Sequence, residues 1–234
     1  MKSRLVIILC MVLAAGPVFA GDKVELKTQK DKVSYAIGMD VGNGLKKNEV
    51  DVDPDIVAKA IKDVLAGNKP LMTDEEVKTA ITGLQKDLQV KQQERAKVLG
   101  EKNKKEGEAF LAQNKAKSGV KSLPSGLQYK VITEGKGKSP KASDTVTVQY
   151  KGTLIDGTEF DSSYKRGQPA TFPVNGVIKG WTEALQLMKE GSKWQLVIPA
   201  DLAYGASGTP GGPIGPNAVL IFDVELVSIK AQEK

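Results

Sequence analysis

The sequence predicts an α+β protein in two parts: an all-α N-terminal module with a long stalk helix, and a C-terminal antiparallel β-sheet wrapped around one short helix. Two patterns predict this division. Helix-capping signals and apolar residues at helical spacing fill the first half of the chain. From residue 127 onward, apolar and polar residues alternate, as they do along half-buried strands.

The composition excludes several classes of function. The 234 residues, 40% hydrophobic and 26% charged, predict one or two folded domains. Histidine is absent, which excludes Ser-His-Asp and Cys-His catalysis and every His-ligated metal site, and we expect neither metal nor cofactor. The net charge of +6 comes from lysines that alternate with acidic residues, without a binding motif, so we expect no nucleic-acid partner.

The N-terminus has the parts of a secretory signal peptide, which we predict to span residues 1–20. They are a basic start, an apolar run over residues 5–15 and the small-residue cleavage site Val18-Phe19-Ala20. The apolar run is too short to span a bilayer, although an uncleaved anchor is the competing interpretation. Cleavage would remove the only cysteine and two positive charges, lowering the net charge from +6 to +4.

The predicted signal peptide implies an exported protein. We expect it in the periplasm after cleavage, without stable membrane insertion, and leave outer-membrane association open.

Residues 21–118 are predicted to form a helical dimerisation module. Apolar residues at i, i+4 spacing from Val33 to Leu45 predict a first helix. Asp53 is a favourable N-cap for a second helix, with Pro54 at its first position and Gly67 at its end.

A third helix begins at the capping box Thr73-Asp-Glu-Glu76, and nothing breaks it for about 45 residues. Its apolar stripe fades after Leu88, and a helix that is polar all round is not packed in a core. We therefore predict a solvated stalk. The module has too little apolar surface for a stable monomeric core, which predicts a homodimer.

The C-terminal domain is predicted to cover residues 127–234, after a linker over residues 119–126. A short amphipathic segment begins at Trp181, directly after Gly180, and strand-like runs surround it. One short helix among strands suggests an apolar cup floored by the Trp181 indole. The few polar groups available to this cup are Tyr150, Asp161 and Tyr204.

Six motifs occur in order in this domain. They are Tyr150-Lys-Gly152, Asp156-Gly157, Phe160-Asp161-Ser-Ser163, Val177-Ile178-Lys-Gly180-Trp181, Ala203-Tyr204-Gly205 and Phe222-Asp223-Val224-Glu225-Leu226. With these motifs, residues 125–230 resemble the FKBP-type peptidyl-prolyl cis-trans isomerases. By pattern more than by motif, the first half resembles the dimerisation module of Mip-like and periplasmic members of that family.

The resemblance implies a role for each residue of the cup. Trp181 forms the floor beneath the proline ring, and the Ile178 N–H holds a substrate carbonyl. Tyr204 donates a hydrogen bond from the rim, while Asp161 accepts one from Tyr150 and pairs with Arg166. The expected catalytic set is Tyr150, Asp161 and Tyr204. The expected walls are Phe160, Phe172, Val177, Ile178 and Phe222, with Ile214 expected from the Gly/Pro-rich loop at residues 205–217.

The function implied by the resemblance is peptidyl-prolyl cis-trans isomerisation in exported proteins, with chaperone activity. The implied partners are proline-containing, unfolded or partly folded proteins, and the macrolides tacrolimus and rapamycin as inhibitors. The alternative is a chaperone or binding module in which isomerase turnover is incidental.

Overall fold

The computed structural model describes residues 25–231, so the predicted signal peptide lies outside the described residues. Four helices and seven strands are present in this range. In chain order they are α1 Gln29–Lys47, α2 Pro54–Ala66, α3 Asp74–Lys115, β1 Val120–Ser122, β2 Gln128–Thr133, β3 Thr145–Leu154, β4 Glu159–Ser162, β5 Ala170–Pro173, α4 Lys179–Leu187, β6 Lys193–Ile198 and β7 Leu220–Lys230.

Packing divides the chain into two compact units between Asp74 and Glu75. The division therefore falls at the start of α3, whereas the sequence groups this helix with the N-terminal module. The physical reason is the packing of the second half of α3 within the C-terminal unit, described below.

The N-terminal unit contains two capped helices. The Thr28 hydroxyl accepts a hydrogen bond from the Asp31 N–H at 3.1 Å, and the Asp31 carboxylate accepts one from the Thr28 N–H at 2.8 Å. This capping box starts α1 before the first apolar residue of the sequence pattern. The predicted start of α2 is confirmed, because the Asp53 carboxylate accepts from the N–H of Asp55 at 2.8 Å.

Apolar side chains of α1 and α2 remain exposed. Within the described residues, neither helix contains a buried side chain. Ile37 is 61% exposed, Ile61 is 50% exposed and Leu65 is 82% exposed. A helix in a folded monomer normally buries one apolar face, so these faces lack the cover that such helices need.

The C-terminal unit is built on one antiparallel sheet in the order β1-β2-β6-β7-β3-β4, with β5 paired to β3. Alternate residues of β3, β6 and β7 are buried, and α4 packs against them. Gly180 makes this approach possible, because a Cβ there would lie 2.5 Å from Ile198 Cγ2. The predicted α+β class, with a short helix against an antiparallel sheet, is confirmed.

The predicted linker contains a strand. Residues 120–122 form β1, which pairs with β2 from Val120 opposite Lys130 to Ser122 opposite Gln128. The end of α3 is tied to the same place: the Asn114 amide donates to Gln128 Oε1 at 2.9 Å, and the Gln128 amide donates to the Leu111 carbonyl at 2.9 Å. The last turns of the predicted stalk are thus part of the C-terminal unit.

Membrane-spanning helices and metal-binding clusters are both absent from the described chain. Between residues 25 and 231, no helix is both long and apolar enough to cross a bilayer. The same part of the chain holds no group of three His, Cys, Asp or Glu side chains that could bind a metal ion.

Candidate active site

An apolar cup of about 720 Å³ opens on one side of the sheet, between α4, the strands and the loop before β7. It brings together the ten residues predicted as catalytic or substrate-binding from the sequence. The lining side chains are Tyr150, Phe160, Asp161, Phe172, Gly176, Val177, Ile178, Trp181, Ala203, Tyr204, Thr209, Gly212, Pro213, Ile214 and Phe222.

The floor of the cup is a cluster of aromatic rings around Trp181. This indole is 4% exposed and meets the rings of Tyr150 and Phe222 edge to face, at centroid distances of 5.1 and 5.2 Å. Phe172 makes a similar contact at 6.0 Å, and Phe160 meets Phe222 at 5.4 Å. Edge-to-face contacts stabilise aromatic pairs beyond their buried area, so the floor is a pre-formed apolar surface.

The strands place these rings by simple alternation. On β3, Val146 and Val148 are buried in the core, and Tyr150 follows on the same face. Phe222 lies on β7 opposite Gly152 of β3, and its ring lines the cup. The Trp181 ring lines the same space from the first turn of α4, which begins at Lys179.

Asp161, at the edge of the cup, is fixed by hydrogen bonds. The Tyr150 hydroxyl donates to its Oδ2 at 2.5 Å, and Arg166 donates through Nη1 to its Oδ1. Arg166 also donates through Nη2 to the Tyr150 hydroxyl at 2.6 Å, and the Ser162 N–H donates to Asp161 Oδ1 at 2.8 Å. Both carboxylate oxygens therefore accept hydrogen bonds, which fixes the orientation of the group.

The pKa values of this cluster keep it in one ionic state. Burial alone would raise the Asp161 pKa, but the hydrogen bonds from Tyr150 and Arg166 outweigh it and hold that pKa below its ordinary value. Burial, together with the hydrogen bond to Asp161, raises the Tyr150 pKa above its ordinary value. At neutral pH the carboxyl group is ionised and the phenol is neutral.

We expect turnover to be flat with pH between the ordinary pKa values of aspartate, 3.8, and tyrosine, 10.0. Because the Asp161 pKa is lower in the folded state than in the unfolded state, the ionised group stabilises the fold at pH values above its unfolded-state pKa. This stabilisation is lost as the pH falls through the folded-state pKa. The raised Tyr150 pKa stabilises the fold below its unfolded value and ceases to do so as pH rises through the folded pKa.

A protease-free assay of the peptide isomerisation that the family resemblance implies measures the profile across this range, and circular dichroism at each pH reports the folded fraction. A bell-shaped profile with a limb near neutrality would contradict a single ionic state of Asp161 and Tyr150, because it would indicate proton transfer by a side chain.

The rim of the cup offers two hydrogen-bond donors. Tyr204 is 43% exposed and lines the cup from its edge. Within the described chain, the Ile178 N–H has no hydrogen-bond partner, although this residue lines the cup at the start of α4. Both donors can therefore face a peptide carbonyl at the mouth of the cup.

Sequence reasoning missed five residues that also line the cup. Thr209, Gly212 and Pro213 belong to the same loop as Ile214, while Gly176 and Ala203 precede predicted residues. Two sequence signals were available: Ala203 belongs to the Ala203-Tyr204-Gly205 motif, and Thr209, Gly212 and Pro213 lie within the Gly/Pro-rich loop. Which of its residues face the cup depends on the loop conformation, and hydrophobic periodicity does not predict that.

Comparison with known families gives two matches along the chain. A family model described as "FKBP-type peptidyl-prolyl cis-trans isomerase" matches residues 136–227. A second, described as "Domain amino terminal to FKBP-type peptidyl-prolyl isomerase", matches residues 30–131.

Individual relatives match over most of their length. The "Outer membrane protein MIP" of Legionella longbeachae is 51% identical over 98% of this chain and 99% of its own. The "FKBP-type peptidyl-prolyl cis-trans isomerase FkpA" of Escherichia coli K12 is 41% identical over 94% of this chain and 84% of its own. The crystal structure of FkpA from Escherichia coli has a TM-score of 0.66 at 40% identity, covering 88% of this chain and 99% of that one.

Proposed function

The chain belongs to the family of FKBP-type peptidyl-prolyl cis-trans isomerases, and on that basis we propose that its cup isomerises Xaa-Pro bonds in exported, partly folded proteins. The family and the isomerase activity predicted from the motifs are confirmed by these relatives. The supporting observation for the site is the apolar cup over Trp181, with the oriented Asp161 carboxylate at its edge.

The reaction needs no bond to break. An Xaa-Pro amide crosses a rotational barrier of ~18–20 kcal/mol, because its C–N bond has partial double-bond character. Its two end states differ by only about 0.5–1 kcal/mol. An enzyme therefore has to bind the twisted amide more tightly than the planar one, and requires no nucleophile for this.

An apolar cup meets that requirement. The twisted amide has lost resonance and is less dipolar than the planar amide, which water solvates better. Transfer from water to the aromatic floor of Trp181 and Phe222 thus favours the transition state. We propose that the walls of the cup contact the proline ring of the substrate, and we expect tacrolimus and rapamycin to occupy the same space.

The polar groups orient the substrate. We assign the Ile178 N–H and the Tyr204 hydroxyl to peptide carbonyls at the rim. Hydrogen bonds from Tyr150 and Arg166 keep Asp161 ionised at the edge of the cup. Its negative charge contributes to the electrostatic field in the cup, and no proton is transferred. Tyr150 has two roles: its ring belongs to the floor of the cup, and its hydroxyl donates a hydrogen bond to the Asp161 carboxylate.

We further propose that residues 21–118 carry dimerisation and residues 127–234 carry catalysis, joined through residues 119–126. The exposed apolar faces of α1 and α2 support a second copy of the chain as their cover. A Cβ added at Gly38 or Gly42 of α1 would meet nothing within 4 Å, which leaves room for a partner helix. Two linked cups raise the effective concentration of one site for a client held at the other, which is the basis for chaperone activity.

For location we propose the periplasm, after removal of residues 1–20. The secretory pattern of the N-terminus supports export, and the name of the Legionella relative supports association with the outer membrane.

A full-chain Ile37→Glu/Ile61→Glu variant tests the proposed assembly. Charges on both exposed faces should convert the dimer to a monomer, because an unpaired carboxylate is costly to bury in an apolar contact. Turnover of a short Xaa-Pro peptide should stay within about twofold, since such a peptide touches only one cup. Refolding of a proline-limited protein should slow to near the uncatalysed rate. Sedimentation, a peptide assay and a refolding assay measure the three effects.

The matched control is Ile132→Glu, because Ile132 is also about half exposed, at 51%, but lies on β2 of the C-terminal unit. It should remain dimeric and refold the client normally. A dimeric double variant, or a monomeric one that refolds protein clients as well as the wild type, would show that dimerisation has another place or another role. If the wild type binds protein clients but shows no peptide turnover, the alternative is favoured: a chaperone or binding module in which isomerase turnover is incidental.

A further inference from the structure

The outer wall of the cup is a loop that we call the pocket loop, residues 205–219, between the Tyr204 rim and β7. It contributes Thr209, Gly212, Pro213 and Ile214 to the lining. Two internal hydrogen bonds hold it together: the Thr209 N–H donates to the Ile214 carbonyl at 2.8 Å, and the Ile214 N–H donates to the side-chain oxygen Oγ1 of Thr209 at 3.2 Å. The position of Ile214 in the cup therefore depends on where the whole loop lies.

The base of this loop is joined to α3 by two side-chain amides. Asn103 donates through Nδ2 to the Pro216 carbonyl at 2.8 Å. In the other direction, Asn217 donates through Nδ2 to the Gly100 carbonyl of α3 at 3.2 Å. Asn217 has a φ of +55°, in the left-handed region that asparagine tolerates better than most residues, and its N–H closes the loop on the Gly205 carbonyl at 2.9 Å.

Glycine lets the helix approach this closely. A Cβ at Gly107 of α3 would lie 2.7 Å from Val219 Cγ2, and one at Gly100 would lie 3.2 Å from Pro216 Cβ. From the loop side, a Cβ at Gly215 would lie 3.0 Å from Leu99 Cδ2. By contrast, Gly83 on the same helix has nothing within 4 Å. The close contacts thus occur where α3 passes the pocket loop.

We propose that Asn103 and Asn217 are positioning residues of the isomerase site: through their hydrogen bonds, α3 holds the pocket loop, and with it Ile214, against the bound Xaa-Pro segment. Neither asparagine lines the cup, so both act through the loop. The inference rests on the proposed role of the cup as the substrate site. A loop released from α3 populates several conformations. The apparent substrate affinity then falls in proportion to the fraction of chains whose loop is in the binding-competent conformation.

The decisive variant is Asn103→Asp/Asn217→Asp in the full chain. Aspartate keeps the size of asparagine but replaces both N–H donors with oxygens that face carbonyl groups. We expect the KM for an Xaa-Pro tetrapeptide to rise about fivefold, and tacrolimus to dissociate faster by a similar factor, with kcat per folded chain little changed. Hydrogen exchange at the Thr209 and Asn217 amides should accelerate, while exchange in β3 and β7 should not.

Asn48→Asp is the matched control. The Asn48 amide also donates to a backbone carbonyl, that of Gly44 at 2.9 Å, but it does so at the end of α1 in the N-terminal unit. The same substitution there should leave peptide KM and loop exchange unchanged. If the double variant folds poorly, Asn217→Gly replaces it, since glycine accepts the positive φ and removes only the side-chain hydrogen bond.

An Ile214→Ala variant separates failure of this inference from failure of the proposed function. If Ile214→Ala raises KM while folded asparagine variants keep wild-type KM and loop exchange, the contact with α3 is only structural and the inference is wrong. If Ile214→Ala has no effect either, the loop does not contact the substrate, and both the inference and that part of the cup assignment fail. Equal effects from Asn48→Asp would also overturn the inference.

Discussion

Phe222→Ala should destabilise the C-terminal unit by about 3–5 kcal/mol and abolish tight tacrolimus binding. Phe222 is 5% exposed, and its ring lies between those of Trp181 and Phe160 at centroid distances of 5.2 and 5.4 Å. Removing it leaves a cavity in the floor and takes away an apolar contact for the ligand. Both tryptophans, Trp181 and Trp194, belong to this unit, so fluorescence-detected urea unfolding reports on it alone.

Phe172→Ala is the comparison for this variant. Phe172 also lines the cup, but it is only partly buried and its ring is 6.0 Å from that of Trp181. We expect it to weaken tacrolimus binding with a smaller loss of stability, about 1–2 kcal/mol. Wild-type unfolding free energy and inhibitor affinity in Phe222→Ala would contradict the assignment of this ring to the floor.

The apolar space over Trp181 was predictable from the sequence pattern, whereas the assignment of its wall residues came from the family resemblance. A tryptophan at the start of a short helix, with alternating apolar residues on each side, predicts one shared apolar space. The partners of Asp161 came from the family resemblance as well. Alternation along a strand predicts neither that Arg166 reaches both Asp161 and the Tyr150 hydroxyl nor which of the two oxygens each group binds.

The docking of α3 was not predictable from hydrophobic periodicity. The apolar stripe of the helix fades after Leu88, and on that basis the sequence predicts a solvated stalk. Its contacts with the pocket loop and β2 instead use glycine and amide side chains, such as Gly107 and Asn114. Neither residue type contributes to an apolar stripe, and glycine within a helix is equally compatible with a weak point.

The strand in the predicted linker was missed for a related reason. With three residues, β1 is too short to show alternation, and it exists because β2 offers it a free edge. The turn that returns the chain to β2 passes through Gly126, which has a φ of +92°. A short edge strand of this kind is specified by its partner more than by its own sequence.

Loss of turnover on titration with tacrolimus is the second large effect that we expect. The macrolide should fill the cup that we assign to the proline ring, so the two ligands should not bind at once.

Asp161→Leu should lower turnover about tenfold, because a hydrogen-bonded charge is lost from the edge of the cup. Trp181→Leu should cost less, about threefold, since an apolar floor remains. Asp201→Leu, an exposed aspartate that does not line the cup, is the control and should behave as wild type.

The most direct test of the cup as the isomerase site is a peptide isomerisation assay on the full chain during stepwise addition of tacrolimus. We expect turnover to fall linearly and to reach the uncatalysed rate at about one macrolide per chain, in the tight-binding regime. Full turnover with tacrolimus bound, or wild-type turnover in a folded Asp161→Leu variant, would contradict the assignment of catalysis to this cup.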